Sequence, residues 1–139
     1  MLHHKYIKLL MLMTLILAIS LPACSTQATP APQGITYDPA KKYAAFAVVN
    51  LPASASILDT SKRQSATDGL EIGPIEYYNS QTNDFDPIVQ KLTVSKQITV
   101  IWVLGGVMDV PAIRKSAAKF GYAGGFRFMP VSGQNLPGQ

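Results

Sequence analysis

Hydrophobic positions fall into blocks of different period along the chain, and each period predicts an element. Tyr43-Ala-Ala-Phe-Ala-Val-Val49 is continuously apolar with β-branched and aromatic residues, a strand that Asn50-Leu51-Pro52 ends. Residues 53–69 hold one apolar pair, Ile57-Leu58, among many small polar residues. They read either as a short helix over 60–67, capped by Asp59 and stopped by Gly69, or as an irregular surface loop. From Leu70 to Tyr78 apolar and polar residues alternate, and the phase breaks at Gly73-Pro74. That predicts a bulged strand near a sheet edge, because proline cannot donate to a ladder. Asn79 to Asp84 is a polar loop.

Asp86-Pro87 opens a helix over 87–95, with Asp86 as side-chain acceptor and Ile88 and Leu92 on one face. Gln97-Ile-Thr-Val-Ile-Trp-Val-Leu104 is the strongest strand signal, apolar enough to be buried on both faces. Gly105-Gly106 ends it. Asp109 then caps a helix that has Pro111 in its first turn and runs to about Phe120, with Ile113, Ala117 and Phe120 as its inner stripe. Gly121 is its left-handed stop. Phe126 to Val131 is a last strand, and residues 132–139 form a loose tail. The order predicts a small α/β or α+β two-layer sandwich over 41–131, with about four strands and two to three short helices. Right-handed crossovers between parallel strands and an antiparallel ferredoxin-like arrangement both satisfy that order.

Ahead of this domain, Lys5 and Lys8 precede an apolar run from Leu9 to Leu21. The run falls well short of the roughly 20 residues needed to span a bilayer, and it has the length of a secretory signal core. It leads into Leu21-Pro22-Ala23-Cys24. These residues resemble the lipobox of bacterial lipoproteins: a small residue, Ala23, precedes the cysteine, and Leu21 stands three positions before it. Pro22 departs from the small or β-branched residue usual in that family.

The resemblance implies that residues 1–23 are a signal peptide and that Cys24 is diacylated, becomes the mature N-terminus and is acylated on its amine. Several acyl chains together anchor stably to a bilayer. Family members with Asp after the cysteine stay at the inner membrane, so Ser25 implies transfer to the outer membrane, with the domain in the periplasm. Residues 24–40 are rich in Ser, Thr, Pro, Gln and Ala. They read as an extended tether that can reach on the order of 50 Å, and alternatively as a segment that itself binds a partner.

The precursor's net charge of +4 is partly the signal's. Without Lys5 and Lys8 the chain keeps ten basic against eight acidic side chains, too even a balance to imply nucleic acid. His3 and His4 lie in the signal, and Cys24 is the only cysteine. The mature chain therefore offers no Ser-His or Cys-His pair and no Cys/His metal site. Gly105-Gly106 lacks the spacing of a phosphate loop, and Asp109 beside it would repel an anion. The carboxylates Glu71, Glu76, Asp84, Asp86 and Asp109 form no acid/base pair that spacing can reveal.

Neither catalytic residues nor a cofactor are expected. Possible contacts with a partner or an anionic surface are Arg114, Lys115 and Lys119 on the last helix, with Lys41, Lys42, Lys62 and Arg63 as further basic pairs. Tyr78 and Tyr122 could add aromatic surface, since Tyr77 and Tyr78 point to opposite sides of a strand. Trp102 is expected in the core. The expected role is a non-catalytic structural or accessory subunit of an envelope-spanning assembly of secretion, conjugation or pilus type, with protein partners there. The alternatives are a peptidoglycan- or glycan-binding lipoprotein and a surface-exposed exclusion or immunity lipoprotein.

Overall fold

The computed structural model describes residues 34–131. The signal, the lipobox residues Leu21, Ala23, Cys24 and Ser25, most of the tether and the tail 132–139 lie outside the described residues. Seven elements follow in order: β1 (Tyr43–Val49), α1 (Ser54–Thr67), β2 (Glu71–Tyr78), α2 (Asp86–Leu92), β3 (Ile98–Gly105), α3 (Asp109–Lys119) and β4 (Gly125–Pro130). The four strands form one parallel sheet in the order β2-β1-β3-β4. The molecule is thus a small α/β domain of the parallel kind, and the antiparallel alternative is set aside.

The continuous apolar runs take the two central positions. All of β1 is buried, and β3 is buried from Ile101 to Gly105. A strand covered on both faces has no reason to alternate, which is why these two segments read so plainly. The alternating segment β2 is an edge strand. Its register on β1 slips between Ala44↔Ile72 and Phe46↔Ile75, the bulge expected at Gly73-Pro74.

Side chains sort the helices onto two faces. Trp102 reaches α1, while Phe126 lies under Arg114 of α3 and Tyr78 packs on Phe85 beside α2. Hence α1 covers one face, and α2 and α3 cover the other. Val89, Leu92, Ile113 and Ala117 supply an apolar layer on the second face. Facing the first, α1 buries Ser54, Leu58, Ser61 and Ser65.

This α1 is longer than the 60–67 expected from sequence. It starts at Ser54, and Asp59 is an exposed residue inside it rather than its cap. Its buried stripe is serine but for Leu58, so no apolar period marks it. The hydroxyls all find backbone carbonyls: Ser61 donates to Ile57 O and Ser65 to Ser61 O, each at 2.9 Å, and Ser54 donates to Val49 O at the end of β1. Back-bonding of this kind lets a small polar side chain sit against a sheet without an unmet donor.

Three further expectations change. Helix α2 ends at Leu92, not 95, and Val94 is exposed. Asp86 and Asp109 begin their helices without capping them, because both carboxylates are engaged elsewhere. Phe120 lies beyond α3 and is 41% exposed, so the inner stripe reduces to Ile113 and Ala117 with Ser116. The stops at Gly69 and Gly121 are as expected, both at positive φ (73° and 71°). No helix among the described residues is long and apolar enough to cross a membrane.

Candidate functional site

The strand order reverses between β1 and β3, since β1 connects outward to β2 on one side and β3 to β4 on the other. In open parallel sheets the crevice outside the carboxyl ends at such a point is where ligands bind. Here the loop from Asn50 to Ala53 follows β1, and Gly106-Val107-Met108 follows β3.

A side chain of the protein spans this position. Tyr78, the last residue of β2, is buried and passes beneath the end of β1 to reach the start of α3. Its hydroxyl donates to Asp109 Oδ2 at 2.8 Å, and the same oxygen accepts the Gly106 N–H at 2.7 Å. Its ring meets Phe85 edge-on, with centroids 5.2 Å apart. Gly105 permits this crossing: a Cβ there would lie 1.9 Å from the tyrosine oxygen. Burial, then the hydrogen bond and charge of Asp109, hold the Tyr78 phenol far above its ordinary pKa. The group therefore stays protonated and works as a fixed cross-brace rather than a general base.

Beside the brace an open hollow of about 300 Å³ is lined by Asn50, Tyr77, Asn79, Thr82, Asp84 and Ile88. Asp84 accepts the Asp86 N–H at 3.0 Å. No group of three or more His, Cys, Asp or Glu that could hold a metal occurs among the described residues.

The same end of the sheet carries an apolar rim. Tyr77 is 57% exposed, Val107 69% and Met108 80%. These three sit where β2 ends and where β3 turns into α3. The sequence signal for the rim was available: two apolar residues after a Gly-Gly turn and before an acidic helix start have no core to enter.

Of the contact residues expected from sequence, Tyr78 is not on the surface; its neighbour Tyr77 is. Tyr122 is half-buried, donates to Gly125 O at 3.1 Å and stacks edge-on against Phe126; burial raises its pKa. The expected basic face of α3 divides. Lys119 pairs with Asp86 at 2.8 Å, Lys115 is exposed, and the Arg114 guanidinium lies over the Phe126 ring at 5.5 Å. Lys41 pairs with Glu71 at 2.7 Å, while Lys42 is exposed.

At the amino end of the sheet, a larger hollow of about 640 Å³ lies between the loops that precede β3 and β4, lined by Val94, Lys96, Thr99, Phe120, Tyr122 and Gly124. Residues 34–42 enter the fold at that end, where Tyr37 stacks edge-on against Tyr43. The carboxyl rim is thus the end opposite the chain's entry. No family model matches the chain, and no curated protein matches it significantly.

Proposed function

We propose that this chain is an outer-membrane-anchored lipoprotein, and that its periplasmic domain is a non-catalytic structural or accessory subunit of an envelope-spanning assembly of secretion, conjugation or pilus type. Acylation at Cys24 supplies the bilayer anchor, and the rim at the far end of the domain supplies contact with a protein partner. The observation that carries this reading is the carboxyl end of the sheet. The crevice where a doubly wound sheet receives a ligand is crossed by Tyr78 braced on Asp109, while Tyr77, Val107 and Met108 stand exposed at the same end. Apolar side chains gathered at one end of a small domain fit a protein contact.

The test is mass spectrometry of what co-purifies with the acylated chain from mildly crosslinked, gently solubilised membranes. A defined set of envelope proteins in fixed ratio is expected, lost when Val107 and Met108 are both changed to Asp. Recovery of the lipoprotein alone would overturn the assembly reading. Cys24→Ser should abolish acyl labelling; a variant still membrane-bound at mature size would overturn the anchor.

A second reading has one observation behind it. The exposed Tyr77 ring borders a hollow with Asn79, Thr82 and Asp84, an aromatic plate beside hydrogen-bonding groups that suits a glycan. Co-sedimentation with purified peptidoglycan, lost in Tyr77→Ala, would favour it over the assembly.

A further inference from the structure

The two edges of the sheet differ. Strand β2 is blunted in the ways that exposed edges usually are: Pro74 lacks an N–H, the register slips beside it, and Glu71 and Glu76 hold Lys41 and Lys91. Strand β4 has no bulge and no proline before Pro130. Its one charged residue, Arg127, is drawn onto the α1 face by Asp68 and the Trp102 ring.

The hydrogen-bond phase of β4 follows from one bond. Val131 N–H donates to Gly105 O at 3.2 Å, and the register Met129↔Leu104, Arg127↔Trp102 and Gly125↔Val100 carries that phase back along the strand. In a parallel pair, the N–H and C=O of one residue point to the same side. Gly125, Arg127 and Met129 therefore face β3. The N–H and C=O groups of Phe126 and Phe128, with the C=O of Pro130, point away from the sheet.

This row meets no further strand among the described residues, and beside it Phe128 is 37% exposed and Arg114 lies over Phe126. Among the described residues Arg114 has no carboxylate within ion-pair distance. We propose that the β4 edge receives an extended, acidic segment of a partner protein as a fifth strand, with a carboxylate of that segment facing Arg114. The inference rests on the assembly reading and assigns the partner's binding mode. Main-chain bonds to Phe126 and Phe128 would supply the affinity, and the charge at Arg114 the selectivity. A second copy suits the edge less well. A two-fold axis perpendicular to the sheet at an antiparallel β4–β4 seam puts both α3 helices, and both Arg114 side chains, on one face without supplying either with a carboxylate.

The test uses the detergent-solubilised full chain and two blocked hexapeptides, one alternating valine with glutamate, the other valine with lysine. Near saturation the glutamate peptide should slow amide exchange at Phe126 and Phe128 by about tenfold or more, with no change at Tyr77. Arg114→Glu should weaken that peptide by about threefold, the size of an exposed ion pair, and favour the lysine peptide instead. Phe128→Pro removes an outward N–H while leaving the bonds to β3, and should abolish the protection. Equal binding of both peptides, protection along β2, or no protection at Phe126 and Phe128 would overturn the proposal. So would dimerisation lost in Phe128→Pro without peptide protection, since the occupant would then be a second copy.

A photo-crosslinking p-benzoylphenylalanine in place of Phe128, in intact envelopes, separates this proposal from the reading beneath it. Crosslinks from Phe128 into a co-purifying polypeptide support both. Co-purifying partners reached only from Met108 sink the edge proposal alone, whereas peptide protection with no co-purifying partner sinks the assembly reading alone.

Discussion

The two faces of the sheet are packed by opposite chemistry. The face under α2 and α3 is a hydrocarbon layer in which Val89, Leu92 and Ile113 are fully buried. Non-directional burial holds it together, and its stability scales with area and packing. On the face under α1 the sheet's large apolar side chains, Phe46 and Trp102 among them, meet a helix stripe of three serines and Leu58, joined by a directed polar chain. Ser65 donates to Ser61 O and accepts the Trp102 Nε1–H at 2.9 Å; the Trp102 ring lies 5.2 Å from the Arg127 guanidinium, and Arg127 pairs with Asp68 at the end of α1. Among the described residues no buried side-chain N or O lacks a partner, so the serine face carries no unmet polar group. A polar helix can therefore cover a sheet as closely as an apolar one, provided each buried hydroxyl finds a backbone carbonyl. What it gives up is tolerance, because each group has a fixed partner and little room.

If that contrast holds, the faces should fail differently. On the hydrocarbon face, truncation costs most. Ile113→Ala should lower stability by about 3 kcal/mol through lost transfer energy and a residual cavity, read as a fall in the urea midpoint at unchanged slope. On the serine face, enlargement costs most. Ser61 is fully buried, and Ser61→Leu should destabilise by about 2 kcal/mol by pushing α1 off the sheet. A stabilised Ser61→Leu variant would mean that α1 packs loosely, and the contrast would dissolve.

A smaller effect sharpens the comparison. Ser65→Ala leaves the Trp102 N–H buried without an acceptor and should cost about 1.5 kcal/mol. In a Trp102→Phe background the same change should cost much less, because the stranded donor is gone. A double-mutant cycle reads the difference as the coupling between the two side chains. Independent, additive losses would show that the hydrogen bond contributes nothing.

The same contrast explains how much of the molecule was legible in its sequence. Strands β1 and β3 and the bulged edge β2 follow from apolar runs and a broken alternation, because burial on two faces or one writes those periods directly. Helix α3 was legible for the same reason. Helix α1 was not, since Ser54, Ser61 and Ser65 recur at helical spacing but carry no hydrophobic signal; Leu58 is the one apolar residue buried among them, too little to make a period. The brace was hidden as well. Nothing local to Tyr78, Gly105 or Asp109 indicates that three separate segments converge. Asp86 and Asp109 read as caps from position, and tertiary partners took both carboxylates instead. Parallel pairing, which creates both the switch point and the open β4 edge, is a long-range property that element order alone left undecided.

The smallest expected effect asks whether the polar chain of the α1 face acts as a unit. Each face has one ion pair whose carboxyl lies below its usual pKa near 3.8. For Asp68 the leading cause is the hydrogen bond from Arg127; for Asp86 it is that from Lys119, then that from Ser116. A carboxyl depressed in the folded state contributes stability above its unfolded pKa, and that contribution fades as pH falls through the folded value. Both pairs should therefore contribute their small stabilisation in full near neutrality and lose it as pH falls below about 4. Asp68→Asn and Asp86→Asn should each flatten the acid limb of the urea midpoint slightly and to a similar degree, since both pairs are solvent-exposed and screened. They should differ in Trp102 emission. Acid titration of the parent frees Arg127 from Asp68 and shifts its position over the indole, so emission should change as pH falls below the ordinary carboxylate range. Asp68→Asn should abolish that transition, and Asp86→Asn, which only uncouples α2 from α3, should leave it intact. The reverse pattern would place the acid-sensitive link on the hydrocarbon face and reduce the Asp68–Arg127–Trp102–Ser65 chain to unconnected pairs.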